Sequence, residues 1–230
     1  MTRAAISVVA GFLAAIAASA SYGTDLARPR PYVKAPAYQP VYVAPFTWQG
    51  FYADFNGGYG WGHSTLSGPT GIASATNPSG ALLGAGFGYN FQSGNWVFGL
   101  EGDADYSWMT DTSGALTACP GCTVHNYYLA TARGRLGYAW DRWLPYITGG
   151  AAIGSINVST PAGGAQGADK VGWTAGGGIE YAFAATRWST KLEYLYADLG
   201  SITCDAAHCG TSLNADFHAN IVRVGLNYHF

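Results

Sequence analysis

From Trp48 to the C-terminus, apolar and polar positions alternate with a period of two. Phe51, Ala53, Phe55, Gly57, Tyr59 and Trp61 share one face, and Tyr52, Asp54, Asn56, Gly58, Gly60 and Gly62 share the other. Successive side chains of a strand point to opposite faces, so this run predicts a strand whose two sides meet different surroundings. The alternation returns in segments 80–92, 96–108, 125–140, 143–158, 171–183, 188–199 and 218–230, which makes eight predicted strands. Only 143–158 is ambiguous in phase, although Ile147, Ala151 and Ile153 fall on one face. No helical period appears between Trp48 and Phe230.

The connections alternate in length. Segments 64–79, 109–124, 159–170 and 201–217 read as long loops rich in Gly, Ser, Thr, Ala and Asn, whereas 93–95, 141–142 and 184–187 read as tight turns. Short turns at one end and long loops at the other are the layout of an eight-stranded antiparallel transmembrane barrel, an all-β fold. The charges give its direction. Asp54, Glu101, Asp103, Asp105, Arg133, Arg135, Glu180, Lys191, Glu193 and Arg223 lie on the polar faces, and the opposite faces of the same strands carry almost none. In a water-soluble barrel these charges would point outward; in a membrane barrel they point into the lumen.

Two features favour the membrane orientation. Trp61, Trp96, Trp108, Trp140, Trp173, Trp188 and Tyr228 stand on the apolar faces near strand ends, as aromatic belts at two water–lipid interfaces would. The polar faces are rich in glycine, and the interior of an eight-stranded barrel is only just wide enough for side chains. The rival architecture is a soluble barrel or sandwich with a greasy interior. Its surface would be short of the charges that keep proteins in solution.

Composition agrees with this reading. Charged residues are 10% of the 230, hydrophobic residues 49% and aromatic residues 15%. A soluble domain carries about a quarter charged residues. The formal net charge of −2 excludes the basic face of a nucleic-acid binder. At the N-terminus Arg3 precedes an apolar run from Ala4 to Ala18, followed by Ala18-Ser19-Ala20. This reads as a secretory signal peptide over residues 1–20; the run is short for a membrane anchor, which needs about 20 apolar residues. Residues 21–47 hold Pro29, Pro31, Pro36, Pro40 and Pro45 and read as an extended proline-rich periplasmic linker. The barrel domain then covers residues 48–230.

Several segments together resemble the small outer-membrane β-barrel family of alphaproteobacteria, which includes the RopB-type rhizobial proteins and related surface antigens of pathogens. They are Trp48-Gln49-Gly50-Phe51-Tyr52, Leu144-Pro145-Tyr146, Gly172 to Tyr181, Lys191 to Gly200 and Val222 to Phe230. The resemblance spans about residues 48–230. It implies an abundant, surface-exposed barrel in the outer membrane, with roles in envelope integrity, host interaction and, in a few members, haem binding or weak porin activity. It also implies that Tyr228 and the terminal Phe230 carry the signal read by the barrel-insertion machinery.

The remaining candidate chemistry is sparse. Cys119-Pro120-Gly121-Cys122 and the pair Cys204 and Cys209 fall in predicted loops. Four cysteines allow three connectivities. Local disulfides 119–122 and 204–209 are the expected staples, against a four-cysteine zinc site or a redox pair, which lacks the helix that lowers a thiol pKa. His63, His125 and His218 sit at loop-side strand ends, with Ser64, Ser67 and Asp216 nearby in sequence. They are the candidates for a hydrolytic site or for haem ligation, and polar rim residues otherwise. The inward charges are either an ion path or a salt-bridged plug. The sequence therefore points to a non-enzymatic surface barrel without metal or cofactor. The alternatives are a small diffusion pore and a loop-borne site for haem or a host molecule. Its expected partners are outer-membrane lipid and lipopolysaccharide, the insertion machinery, and peptidoglycan or a host surface, with no nucleic acid.

Overall fold

The computed structural model describes residues 46–67, 73–112, 121, 123–159, 164–204 and 212–230. The signal peptide and most of the proline-rich segment lie outside them. Nine strands run in chain order: β1 (Gly50–Ser67), β2 (Ala73–Thr76), β3 (Ser79–Ser93), β4 (Trp96–Thr112), β5 (Thr123–Tyr138), β6 (Trp143–Ser159), β7 (Ala165–Ala182), β8 (Trp188–Cys204) and β9 (Leu213–His229). All pairings are antiparallel, and β1 pairs with β9 to close the sheet on itself.

The short β2 belongs to the same wall as β3. Both pair with β1 in one unbroken register, Trp61 opposite Ser79 and Ser64 opposite Thr76. Pro78 interrupts the wall because it has no N–H to give to the ladder. Its carbonyl still accepts from the Gly62 N–H at 2.7 Å. The barrel therefore has eight walls, as the alternation predicts.

Following partner to partner once round gives the stagger. From Tyr52 the path runs through Gly88, Glu101, Arg133, Gly150, Thr174, Ala197 and Ala219 and returns to β1 at Gly62, ten residues above its start. At about 3.3 Å per residue and about 4.7 Å between strands, that stagger tilts the strands by roughly 40° and sets a backbone radius near ~8 Å.

The tight turns fall where the sequence places them. Ala139 donates to the Asn95 carbonyl, Trp140 bridges Trp143, and Phe183 donates to Trp188 across the last turn. Asp141 and Ala185 take positive φ, 53° and 55°, to make the second and third turns. The long connections are a correction. Strand structure reaches Ser67 and Thr112, resumes at Thr123 and Ala165, and continues to Cys204 before restarting at Leu213. The polarity signal fades there because small and polar residues occupy both faces in sequence, although Met109, Val124 and Phe217 still turn inward and are buried.

The outside is apolar throughout its middle. Leu100 is 74% exposed, while its neighbour Glu101, turned inward, is 6% exposed. Aromatic rings flank this band at both ends. Trp96 meets Tyr138, Trp143 meets Tyr181 and Trp188 meets Tyr228 at the turn end, with ring centroids 5.3, 4.6 and 5.0 Å apart. Trp61, Trp108 and Trp173 stand outward nearer the loop end. An exterior of exposed Leu, Val, Ile and Phe between two aromatic belts is stable in lipid and not in water.

Inside, three tiers fill the barrel. At the loop end Leu82, Met109, Ile156, Leu195, Leu199 and Phe217 belong to one buried apolar cluster. At the turn end Trp48, Val97, Ala139, Leu144 and Ala182 form a second. The charged residues occupy the middle. Sequence alternation does not reveal the upper apolar tier, because there Leu195 and Ile221 point inward while Tyr194 and Val222 point outward and both faces look alike.

Trp48 lies just ahead of β1 and closes the turn-end mouth. It is fully buried and packs edge-on against Phe46 and His229, at 4.9 and 5.7 Å. Its backbone N–H donates to the Gln92 Oε1 at 2.8 Å. Replacing Gln92 with alanine removes this latch, and about 1 kcal/mol of stability is expected to be lost. Urea titration of the folded barrel in phospholipid vesicles measures it.

Candidate functional site

All ten ionisable residues assigned to the lumen are buried there. They come from β1, β4, β5, β7, β8 and β9, and strand alternation together with barrel closure brings them together inside the lumen. Six carboxylates share four cations, which is feasible because each guanidinium presents five donors in a planar fork.

Arg223 on β9 is the hub. Its Nε donates to Glu193 Oε2 at 2.6 Å, its Nη1 to Asp103 Oδ1 at 3.0 Å and Asp105 Oδ2 at 2.8 Å, and its Nη2 to Asp103 Oδ2 at 3.0 Å. Arg133 on β5 reaches the same acids from the far wall. Its Nη2 lies 2.6 Å from Asp103 and 2.9 Å from Glu101, and its Nη1 3.1 Å from Glu193. Its Nε donates to Thr131, whose hydroxyl in turn donates to Asp103. Arg135 donates to Glu180 at 2.8 Å and to the Tyr52 hydroxyl at 3.2 Å, and its guanidinium sits 4.1 Å from the Tyr146 ring centroid. Lys191 pairs with Asp54 at 3.2 Å.

Sequence reading assigns the charges to this network but not the hydroxyls that complete it. Tyr52 donates to Glu101 and Tyr146 to Glu193, each at 2.9 Å. Thr148 donates to the Gly134 carbonyl at 3.0 Å. Tyr52 was findable, since it falls on the same face as Asp54 and Asn56. Tyr146 was not, because Gly149-Gly150 blurs the alternation of β6. Such a network is costly to bury and costly to break. It lies between the two apolar tiers.

The lumen explains the glycines. Those turned inward have no room for a Cβ: at Gly150 it would run into the Ala132 carbonyl, at Gly88 into the Tyr52 ring, and at Gly84 into Asp105. Gly102 and Gly134, turned outward, have at least 3.6 Å of clearance.

The three histidines separate. His63 on β1 faces His218 on β9, while His125 lies on β5 and stacks on Tyr127 at 5.7 Å. No single ligand site formed by all three is assembled. Ser64 is buried in the lumen, on the opposite side of β1 from His63, so these two do not form a nucleophile–base pair. A second serine–histidine contact exists at the turn end. The Ser189 Oγ lies 2.9 Å from His229 Nε2 and donates to Glu180 Oε1. Glu180 approaches the same Nε2, at 3.3 Å, whereas a catalytic relay needs the acid on the other ring nitrogen. Cys119, Cys122 and Cys209 lie outside the described residues, and Cys204 closes β8. Among the described residues no three His, Cys, Asp or Glu side chains converge as a metal site.

The family model described as "Outer membrane protein beta-barrel domain" matches residues 9–230. The chain is 32% identical over 235 residues to the 25 kDa outer-membrane immunogenic protein of Brucella abortus biovar 1 (strain 9-941), covering 100% of this chain and 99% of that protein. It is 32% identical over 186 residues to the 22 kDa outer membrane protein of Rhizobium leguminosarum bv. viciae, covering 80% and 79%. Among solved structures, Neisserial surface protein A (NspA) matches at a TM-score of 0.45 and 14% identity, covering 79% of this chain and 97% of that one.

Proposed function

The chain belongs to the outer-membrane β-barrel protein family, and from that premise we propose that it is a sealed, non-enzymatic barrel that supports the envelope and displays its loop end to the exterior. It resides in the outer membrane, as its relatives do. The observation that carries the reading is the three-tiered lumen. A hydrated path would have to cross the Leu195–Leu199–Phe217 tier above the charges and the Trp48 seal below them. The apolar side chains of these two tiers do not replace the hydration shell of an ion.

The relatives named as immunogenic support exposure of this surface to a host. Lipid and lipopolysaccharide are the partners of the apolar band. The insertion machinery is the partner of Tyr228 and Phe230, whose rings meet at 5.3 Å at the end of β9. Peptidoglycan, reached from the turn end where the chain enters beneath the barrel, is a further partner in this reading.

Planar-bilayer recording of the refolded barrel tests the seal, with folding first established by heat-modifiability on a gel. No discrete conductance steps are expected. Ion-selective steps that change when Arg133 is replaced by alanine would favour the diffusion pore instead.

A further inference from the structure

The loop-end faces of β1 and β9 carry a cross-strand histidine pair that the charge network does not use. His63 and His218 are direct register partners, and their ring centroids are 5.6 Å apart. Both point outward, on the same face as Trp61, and both are half-buried. An imidazole nitrogen ligates a divalent transition metal at about 2.0–2.1 Å, which puts its ring centroid roughly 3.2 Å from the ion. Two rings holding one ion at tetrahedral to trigonal angles then lie about 5.2–5.5 Å apart. The observed separation needs only a small side-chain adjustment to admit a metal.

Two further features suit a cation. The Asn77 Oδ1 lies 2.9 Å from His63 Nδ1. With that oxygen accepting, Nδ1 carries the proton and Nε2 keeps its lone pair for a metal; an outer partner of this kind fixes tautomer and ring orientation. The charges nearby are negative. Asp198 is the register partner of His218 on β8, and Asp216 precedes His218 by two residues on the same outward face. No lysine or arginine lies in β1, in β8 beyond Lys191 or in β9 before Arg223.

We propose that His63 and His218 form a two-imidazole site for a divalent transition metal at the loop-end rim, with Asn77 as a positioning residue and solvent completing the coordination. Imidazole ligands favour zinc, copper and nickel over magnesium and calcium. The carboxylates of Asp198 and Asp216 contribute field rather than bonds, since among the described residues no third His, Cys, Asp or Glu side chain converges with the pair.

The test uses the full refolded chain in detergent after treatment with a chelator. Zinc is titrated calorimetrically, and copper(II) is added for electron paramagnetic resonance. One zinc ion per chain at this site and copper hyperfine structure from two imidazole nitrogens are expected. His63→Ala and His218→Ala should each weaken zinc binding about tenfold or more and remove the two-nitrogen signature. Asn77→Ala should weaken it a few-fold, while His125→Ala leaves it unchanged. Neither His63 nor His218 belongs to the lumen plug, and retained heat-modifiability will show that the variants fold. Absence of binding, or undiminished binding in the His63→Ala/His218→Ala double variant, overturns the proposal.

Discussion

Replacing Arg223 with methionine is expected to cost the barrel about 3–5 kcal/mol of unfolding free energy, the scale for breaking a buried ion network by removing one partner. The reason is the number of acids one guanidinium serves. Asp105 loses its ion-pair partner among the described residues, and Asp103 and Glu193 keep Arg133 as the cation paired with them. None of the three carboxylates can turn to water, because apolar tiers lie above and below. Urea unfolding in vesicles will show a lower midpoint, and the heat-modified gel form will appear at a lower temperature. Arg223→Lys should recover only part of the loss, since an ammonium keeps the charge but not the fork that spans Glu193, Asp103 and Asp105. Adding Asp105→Asn to Arg223→Met should restore some stability by removing a stranded charge. A loss below about 1 kcal/mol, the range of solvent-exposed ion pairs, would mean that water reaches the network and would count against the sealed lumen.

The second large effect concerns volume rather than charge. Gly172→Val is expected to prevent folding or to cost at least ~3 kcal/mol, at or beyond the upper end for overpacked sites. A Cβ at Gly172 would collide with the Asp198 carbonyl and lie 2.8 Å from the Leu199 Cα. These are backbone atoms at the register shift between Asp198 and Gly200, where Gly200 takes φ +68°, so the facing strand has no flexible side chain to move aside. Gly102→Ala is the matched control. Its Cβ would find nothing closer than 3.6 Å, and a change within about 0.5 kcal/mol is expected. Equal effects at the two positions would refute the distinction between lumen-facing and lipid-facing glycines.

The eight walls, the turn ends and the inward charges were legible because lipid outside and charge inside impose opposite demands on alternate residues. Phe98, Leu100 and Tyr106 against Glu101, Asp103 and Asp105 display that demand without ambiguity. What stayed hidden lies where the demand relaxes. Toward the loop end, Ala165 to Lys170 carry small and polar residues on both faces, and the loop reading of 159–170 follows from that loss of contrast, although Ala168 packs against the inner apolar cluster. In the upper lumen, Leu195, Leu199 and Ile221 pack against one another while the outer face is also apolar. Trp48 stands at the start of the alternating run, and local pattern gives no sign that it folds beneath the barrel. The separation of His125 from His63 and His218 depends on strand order, which local pattern does not encode.

The turn-end seal has a consequence for how the molecule is made. Phe46 and Trp48 come from the start of the barrel chain and His229 from its end, and their contact sits at the turn end of the sixteen-pair seam that β1 and β9 close. The cork is therefore a product of ring closure rather than a preformed part. Until the last hairpin arrives, the lumen stays open from below, and the arginines have a route by which water can leave as they find their acids. Once the seam is complete, the two chain ends lock each other in place, and the finished barrel carries at its base a record of its final assembly step.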